Sequence, residues 1–105
     1  MIITFEKEYL RDYYERGKSD DKKHRYQPSV IKSYTKSVNF LKAAQVKEDL
    51  YAIKSLHFES LKGDKEGLYS VRAGLKYRIE FALKETFEES ILTICNIIEL
   101  SNHYD

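Results

Sequence analysis

Apolar positions recur at three and four along the first half of the chain and at two along the second. Residues from roughly Glu6 to Arg16 place Tyr9, Leu10, Tyr13 and Tyr14 on one side, as a helix of 3.6 residues per turn requires. A second helix begins near Pro28, whose fixed φ and missing N–H suit a first turn. Ile31, Tyr34, Val38 and Leu41 form its apolar side, while Lys32 and Lys36 lie four apart on another. After about residue 55 the pattern alternates, as strands do. "LHFESL" alternates, and "GLYSVRA" sets Tyr69, Val71 and Ala73 against Ser70 and Arg72. "YRIEFAL" sets Tyr77, Ile79, Phe81 and Leu83 against Arg78, Glu80 and Ala82. "ILTICNIIEL" is apolar nearly throughout, which predicts a strand buried on both faces. Ile2 to Phe5 is a candidate first strand, and "KGDKEG", "AGLK" and the acidic "KETFEE" are the turns.

This order predicts an α+β fold, with two N-terminal helices packed on a mainly antiparallel sheet of about four to five strands. A chain of 105 residues is the size of one domain, spanning 1–105. No internal repeat appears. The nearest thing to a linker is "RGKSDDKKHRYQPS", Arg16 to Ser29, which holds the only proline and separates the two helical patterns. Gly63 and Gly67 bracket a turn and read as turn glycines. Tyr9, Tyr13, Tyr14 and Tyr34 read as helix packing and core.

Net charge is only +1, so the balance of charge does not announce a polyanion-binding protein. Its distribution says more. Residues 16 to 47 hold nine Lys/Arg against two acids, whereas 80 to 99 hold five Glu and one Lys. Two faces of opposite sign are expected, one of them suited to a polyanion. Cys95 stands alone in "ILTICNII" and reads as a core thiol, with no internal disulfide and no metal site built on it. "MIITFEKEYLRDYY" carries charge from position 6 and has no apolar leader, and no stretch approaches eighteen apolar residues. A cytoplasmic protein with no membrane segment is expected.

The chain closes with "LSNHYD" straight after the apolar strand pattern. Ionisable and aromatic groups there either solvate a terminus or belong to a site at the sheet's end. The segment "LHFESLKGDKEGLYSVRAGLKYRIEF" favours the second reading. Its LKG turn, its "GLYSVR…YRIEF" pair of strands and the terminal "IIELSNHYD" together resemble the RelE/ParE superfamily of small bacterial toxins, especially the HigB-like and YoeB-like branches. The resemblance covers most of the chain and is densest in motifs from Leu56 onward.

It implies a RelE-like fold and the toxin of a type II toxin–antitoxin pair. Such a toxin cuts messenger RNA on the small subunit of the translating ribosome, without metal or cofactor. The 2′-hydroxyl attacks the adjacent phosphate, leaving a 2′,3′-cyclic phosphate and a 5′-hydroxyl. That chemistry needs a base for the 2′-hydroxyl proton, a cation for the charge on phosphorus and an acid for the leaving oxygen. Arg78 matches the arginine of the family's YR[IL] strand and would be the cation. His103 matches the terminal histidine acting as acid in YoeB-like enzymes, a role suited to a group that titrates near neutrality. Tyr104 would stack on a base or contact the phosphate. HigB-like chains end acid-Tyr-His where this one has His-Tyr-Asp, so the donor is His103 or Asp105. The base is Glu59, which precedes "SLKG" as the YoeB-like glutamate precedes its Leu-Lys, or His57, two residues earlier and on the same strand face.

Lys62 and Arg72 would contact the backbone. Lys22, Lys23, Arg25, Lys32 and Lys36 form a basic helix-and-loop region able to grip ribosomal RNA, contacts that fix position without reading sequence. The expected partners are a cognate antitoxin of HigA-like, helix-turn-helix type, the ribosome and messenger RNA. Two other readings share the fold. A ParE-like toxin would poison gyrase and need no terminal acid–base pair, and a catalytically silent module would only dock a helix-turn-helix partner.

Overall fold

The structure is a computed structural model and describes residues 1–87 and 91–102. Its elements are β1 (Ile2–Phe5), α1 (Glu8–Arg16), α2 (Pro28–Ala43), the one-turn α3 (Glu48–Tyr51), β2 (Glu59–Ser60), β3 (Tyr69–Ala73), β4 (Tyr77–Phe87) and β5 (Ile91–Asn102). Short 3₁₀ turns occupy Lys54–Leu56 and Gly63–Lys65. The strands form one sheet in the order β1-β5-β4-β3-β2. Every pairing is antiparallel except β1 with β5, which run parallel with Ile2 opposite Ile94. The expected α+β architecture is present, and Ile2–Phe5 supplies the fifth strand.

α1 ends where Gly17 takes a left-handed φ of 71° and returns its N–H to the Tyr13 carbonyl, a cap that glycine adopts without a Cβ penalty. α2 begins with Pro28 in its first turn. The two helices cover one sheet face. There Tyr9, Leu10, Tyr13, Tyr34, Val38 and Leu41 bury against Val71, Ile79, Phe81, Cys95 and Ile97. Tyr34 is fully buried and its hydroxyl donates to the Leu10 carbonyl at 2.7 Å, so the polar end of the ring is satisfied inside the core.

Three local expectations are corrected. β5 is not buried on both faces: Thr93, Cys95, Ile97 and Leu100 are buried, whereas Leu92 is 46 % exposed and Ile94, Asn96 and Ile98 are half-buried. A β-bulge explains the misleading pattern. The register jumps from Glu80 opposite Glu99 to Phe81 opposite Ile97, which leaves Ile98 as the extra residue and lets both Ile97 and Leu100 face the core. The acidic "KETFEE" is not a turn throughout, since β4 continues to Phe87. "LHFESL" is not a continuous strand either. Only Glu59 and Ser60 pair with β3, and His57 sits at the end of a 3₁₀ turn with φ 45°.

Gly74, in the turn between β3 and β4, has φ 78°, and a Cβ there would come within 3.1 Å of the Ser33 hydroxyl. Its lack of a side chain serves both the left-handed turn and the close seat of the hairpin on α2.

Candidate functional site

The sheet face away from the helices carries the polar half of the strand alternation, arranged in two rows across the strands. Glu59, Ser70, Glu80 and Glu99 face one another in one row. In the next, Arg72 lies directly opposite Arg78, and Arg78 opposite Ser101. Facing like charges on neighbouring strands repel, and counter-charge beside them offsets that cost.

Glu80 provides it. Its side chain is 1 % exposed, and both carboxylate oxygens accept from Lys65 Nζ at 2.8 Å. Oε2 also accepts from Arg78 Nε at 3.0 Å, and Arg78 Nη2 lies 2.9 Å from it as an ion pair. The Ser101 hydroxyl donates to the same oxygen at 3.4 Å. Burial works against the charged form, but hydrogen bonds from Lys65 and Arg78, and then their charges, outweigh it and hold the carboxyl below its usual range. One edge of the Arg78 guanidinium, Nε with Nη2, is thereby held against Glu80, with the side chain 21 % exposed. Glu80 and Lys65 are parts of this arrangement that the sequence reading missed. The available signal was a glutamate two positions beyond the arginine on the same strand face.

Beside this clamp, His57, Glu59, Ser70, Arg72 and Arg78 line a cavity of about 110 Å³. His57 reaches it from the left-handed end of its 3₁₀ turn, not from the strand face shared with Glu59 that alternation implied. The structure thus brings together four of the sequence-nominated residues, His57, Glu59, Arg72 and Arg78. The arrangement offers two cations to one small anion, with an imidazole and a carboxylate within the same walls.

The other nominated residues are scattered. Lys62 is exposed at the start of the 3₁₀ turn that holds Lys65, and does not line the cavity. Lys36 and His57 meet in a neighbouring cavity of about 390 Å³. Arg25 lines a third, of about 750 Å³. Lys32 lines a groove of about 740 Å³ along the outer side of α2, between Ile31, Phe40 and Gly17. Lys22 and Lys23 are exposed in the loop between α1 and α2 and line none of these spaces. His103, Tyr104 and Asp105 lie outside the described residues.

That loop is tied down at several points. Asp21 accepts from the backbone N–H groups of Lys23 and His24, the His24 ring stacks on Tyr9 with centroids 4.0 Å apart, and the Tyr26 hydroxyl donates to the Leu100 carbonyl. Among the described residues no helix is long and apolar enough to cross a membrane.

Comparison with known proteins follows the same lines. The family of RelE-like toxins of the type II toxin–antitoxin system HigB matches residues 3–93. Among solved structures, the YoeB/ParE toxin from Agrobacterium tumefaciens is similar over 99 % of this chain and 100 % of its own, at 17 % identity and a TM-score of 0.58. At that identity the likeness shows the fold. A search of curated proteins returns no significant match.

Proposed function

The chain belongs to the HigB-like family of RelE-like toxins of type II toxin–antitoxin systems, and from that premise we propose that it is an endoribonuclease cutting messenger RNA on the translating ribosome. The observation that carries the reading is the 110 Å³ cavity walled by His57, Glu59, Arg72 and Arg78. In the reaction, Glu59 or His57 takes the proton from a 2′-hydroxyl. The hydroxyl oxygen then attacks the adjacent phosphorus, and the bond to the 5′-oxygen breaks. Arg78 and Arg72 hold the negative charge that accumulates on the non-bridging oxygens. Glu80, itself held by Lys65, fixes one edge of the Arg78 fork before substrate arrives, and a preset donor needs no reorganisation during the reaction. His103, or Asp105 in its stead, protonates the leaving 5′-oxygen, and Tyr104 stacks on a neighbouring base.

A type II toxin implies a cognate antitoxin. We assign it the helix-turn-helix type, with the ribosome as the second partner.

The test is transcriptome-wide mapping of new 5′-hydroxyl RNA ends after a brief pulse of expression in a bacterium, with Arg78→Ala and His103→Ala strains in parallel. New ends in reading-frame phase, lost with Arg78→Ala, are the expected result. Ends that persist with His103→Ala move the acid role to Asp105. Growth arrest without new ends would overturn the nuclease reading in favour of a gyrase-directed toxin, and neither arrest nor ends would leave a silent docking module.

A further inference from the structure

Ser70 stands in the middle of the polar sheet face, opposite Glu59 on β2 and Glu80 on β4. Its backbone lies within the sheet, between two paired strands, so what it presents to that face is its hydroxyl. The residue is 2 % exposed, yet among the described residues its hydroxyl has no hydrogen-bond partner. The buried carboxylate opposite it takes its bonds from Lys65, Arg78 and Ser101, and none from Ser70. Buried hydroxyls are as a rule bonded, and leaving one unbonded costs free energy. No described side-chain oxygen or nitrogen is both sealed from solvent and without a partner. The Ser70 oxygen is therefore open on one side. The space it opens to is the 110 Å³ cavity that it walls together with His57, Glu59, Arg72 and Arg78.

The other walls decide what suits that opening. Arg72 is two residues along β3 from Ser70 and on the same face, and Arg78 is its diagonal neighbour on β4, a separation of roughly 7–8 Å in a regular pair of strands. Guanidinium groups only donate, so a group lodged between them has to present acceptors. A hydroxyl facing the same group then donates as well. Phosphate meets all three, because its non-bridging oxygens accept and do not donate. The cavity falls below the roughly 300–1,000 Å³ of ordinary ligand pockets, which leaves room for one phosphate group and little else.

We propose that Ser70 is a further catalytic residue, whose hydroxyl donates a hydrogen bond to a non-bridging oxygen of the reacting phosphate. The inference rests on the nuclease reading for its substrate. As the 2′-oxygen adds to phosphorus, negative charge grows on that oxygen and the bond strengthens, so the hydroxyl favours the transition state over the bound strand. Ser70 keeps its proton throughout, and attack remains with the 2′-oxygen of the RNA.

The experiment measures single-turnover cleavage on programmed ribosomes by the wild type, Ser70→Ala and, as control, Lys84→Gln on β4. The messenger carries either an ordinary phosphate at the cut linkage or one of its two phosphorothioate isomers, in which sulfur replaces one non-bridging oxygen. With the ordinary phosphate, Ser70→Ala should be slower by about 10- to 100-fold, the worth of a hydrogen bond to a charged group. In the wild type, the isomer with sulfur facing Ser70 should be cut more slowly than the other. In Ser70→Ala that difference should shrink towards none, because two changes that remove the same contact do not add. Lys84→Gln should alter neither quantity. Ser70→Cys, a far weaker donor, replaces Ser70→Ala if urea unfolding shows that variant unfolded.

A second measurement stands apart from cleavage. Inorganic phosphate is titrated into each protein, and the Arg78 Nε–H signal is followed by NMR. Its Kd should rise about 10-fold in Ser70→Ala. If the wild type cuts RNA, the phosphorothioate comparison decides. Ordinary cleavage by Ser70→Ala, or isomer effects equal to those of the wild type, would overturn the assignment and leave water as the partner of the hydroxyl. If the wild type cuts nothing, the nuclease reading falls and phosphate binding decides. A weakened Kd in Ser70→Ala then keeps Ser70 as a phosphate ligand, and an unchanged Kd or no binding by the wild type removes it.

Discussion

Glu80 is a residue whose environment decides its behaviour. A carboxylate 1 % exposed is costly unless paired, and here it is paired twice. Because its folded-state pKa lies below the ordinary value of 4.5, its contribution to stability is present above that value and is lost as pH falls through the lowered one. Glu80→Gln should therefore show a flatter decline in stability below about pH 4.5 than the wild type, read from urea midpoints at successive pH values. Glu80→Ala should cost about 2–3 kcal/mol at neutral pH, less than a fully buried broken pair because Lys65 can rehydrate. Arg78→Lys should resemble Arg78→Ala in cleavage, with about 100- to 1,000-fold lost from kcat, since a point charge on a flexible stem cannot reproduce the held fork. Retention of activity by Arg78→Lys would remove the significance given to that geometry. Cys95 is fully buried and its thiol is pushed up to about 12 by burial. It should resist thiol reagents in the native state and react at the rate of unfolding.

At the scale of elements, the sequence showed what rests on sustained period. α2 follows from Ile31, Tyr34, Val38 and Leu41, and β4 from the Tyr77-to-Leu83 alternation. Elements without a period were not legible. α3 is one turn of four residues, and β2 is two residues long. His57 and Glu59 were placed on one strand face by alternation, a rule that fails where His57 turns left-handed. They meet in one cavity nonetheless, through a backbone path the pattern did not contain. The bulge at Ile98 defeats alternation in the same way, because an inserted residue lets both Ile97 and Leu100 face inward. Arg78 was legible because it matches the arginine of the YR[IL] strand it resembles, and regular alternation along Tyr77–Leu83 set its face. The clamp around it was not, because Lys65 comes from a turn. The hairpin seat gives a prediction at this scale: Gly74→Ala should destabilise by about 1–2 kcal/mol, measured by thermal or urea unfolding. Combining it with Ser33→Gly should recover part of that loss, the part due to the 3.1 Å approach.

For the whole molecule, the parallel pairing of β1 with β5 sets the order in which the fold can be completed. Thr4 donates to Asn96 across 92 positions of sequence, and Glu6 N–H reaches the Ile97 carbonyl. Contacts that span nearly the full chain carry the entropy of loop closure before they return anything, and they slow folding. A growing polypeptide can form α1 and α2 early, from local contacts. It cannot finish the sheet until residues 94–97 have been made, about 90 positions after β1. The same late strand carries Ser101 to the Glu80 clamp. A newly made molecule therefore passes through an interval in which its helices exist and its sheet is incomplete. On the nuclease reading proposed above, the acid at His103 or Asp105 is also among the last residues made, so a partner present during synthesis has that interval in which to bind.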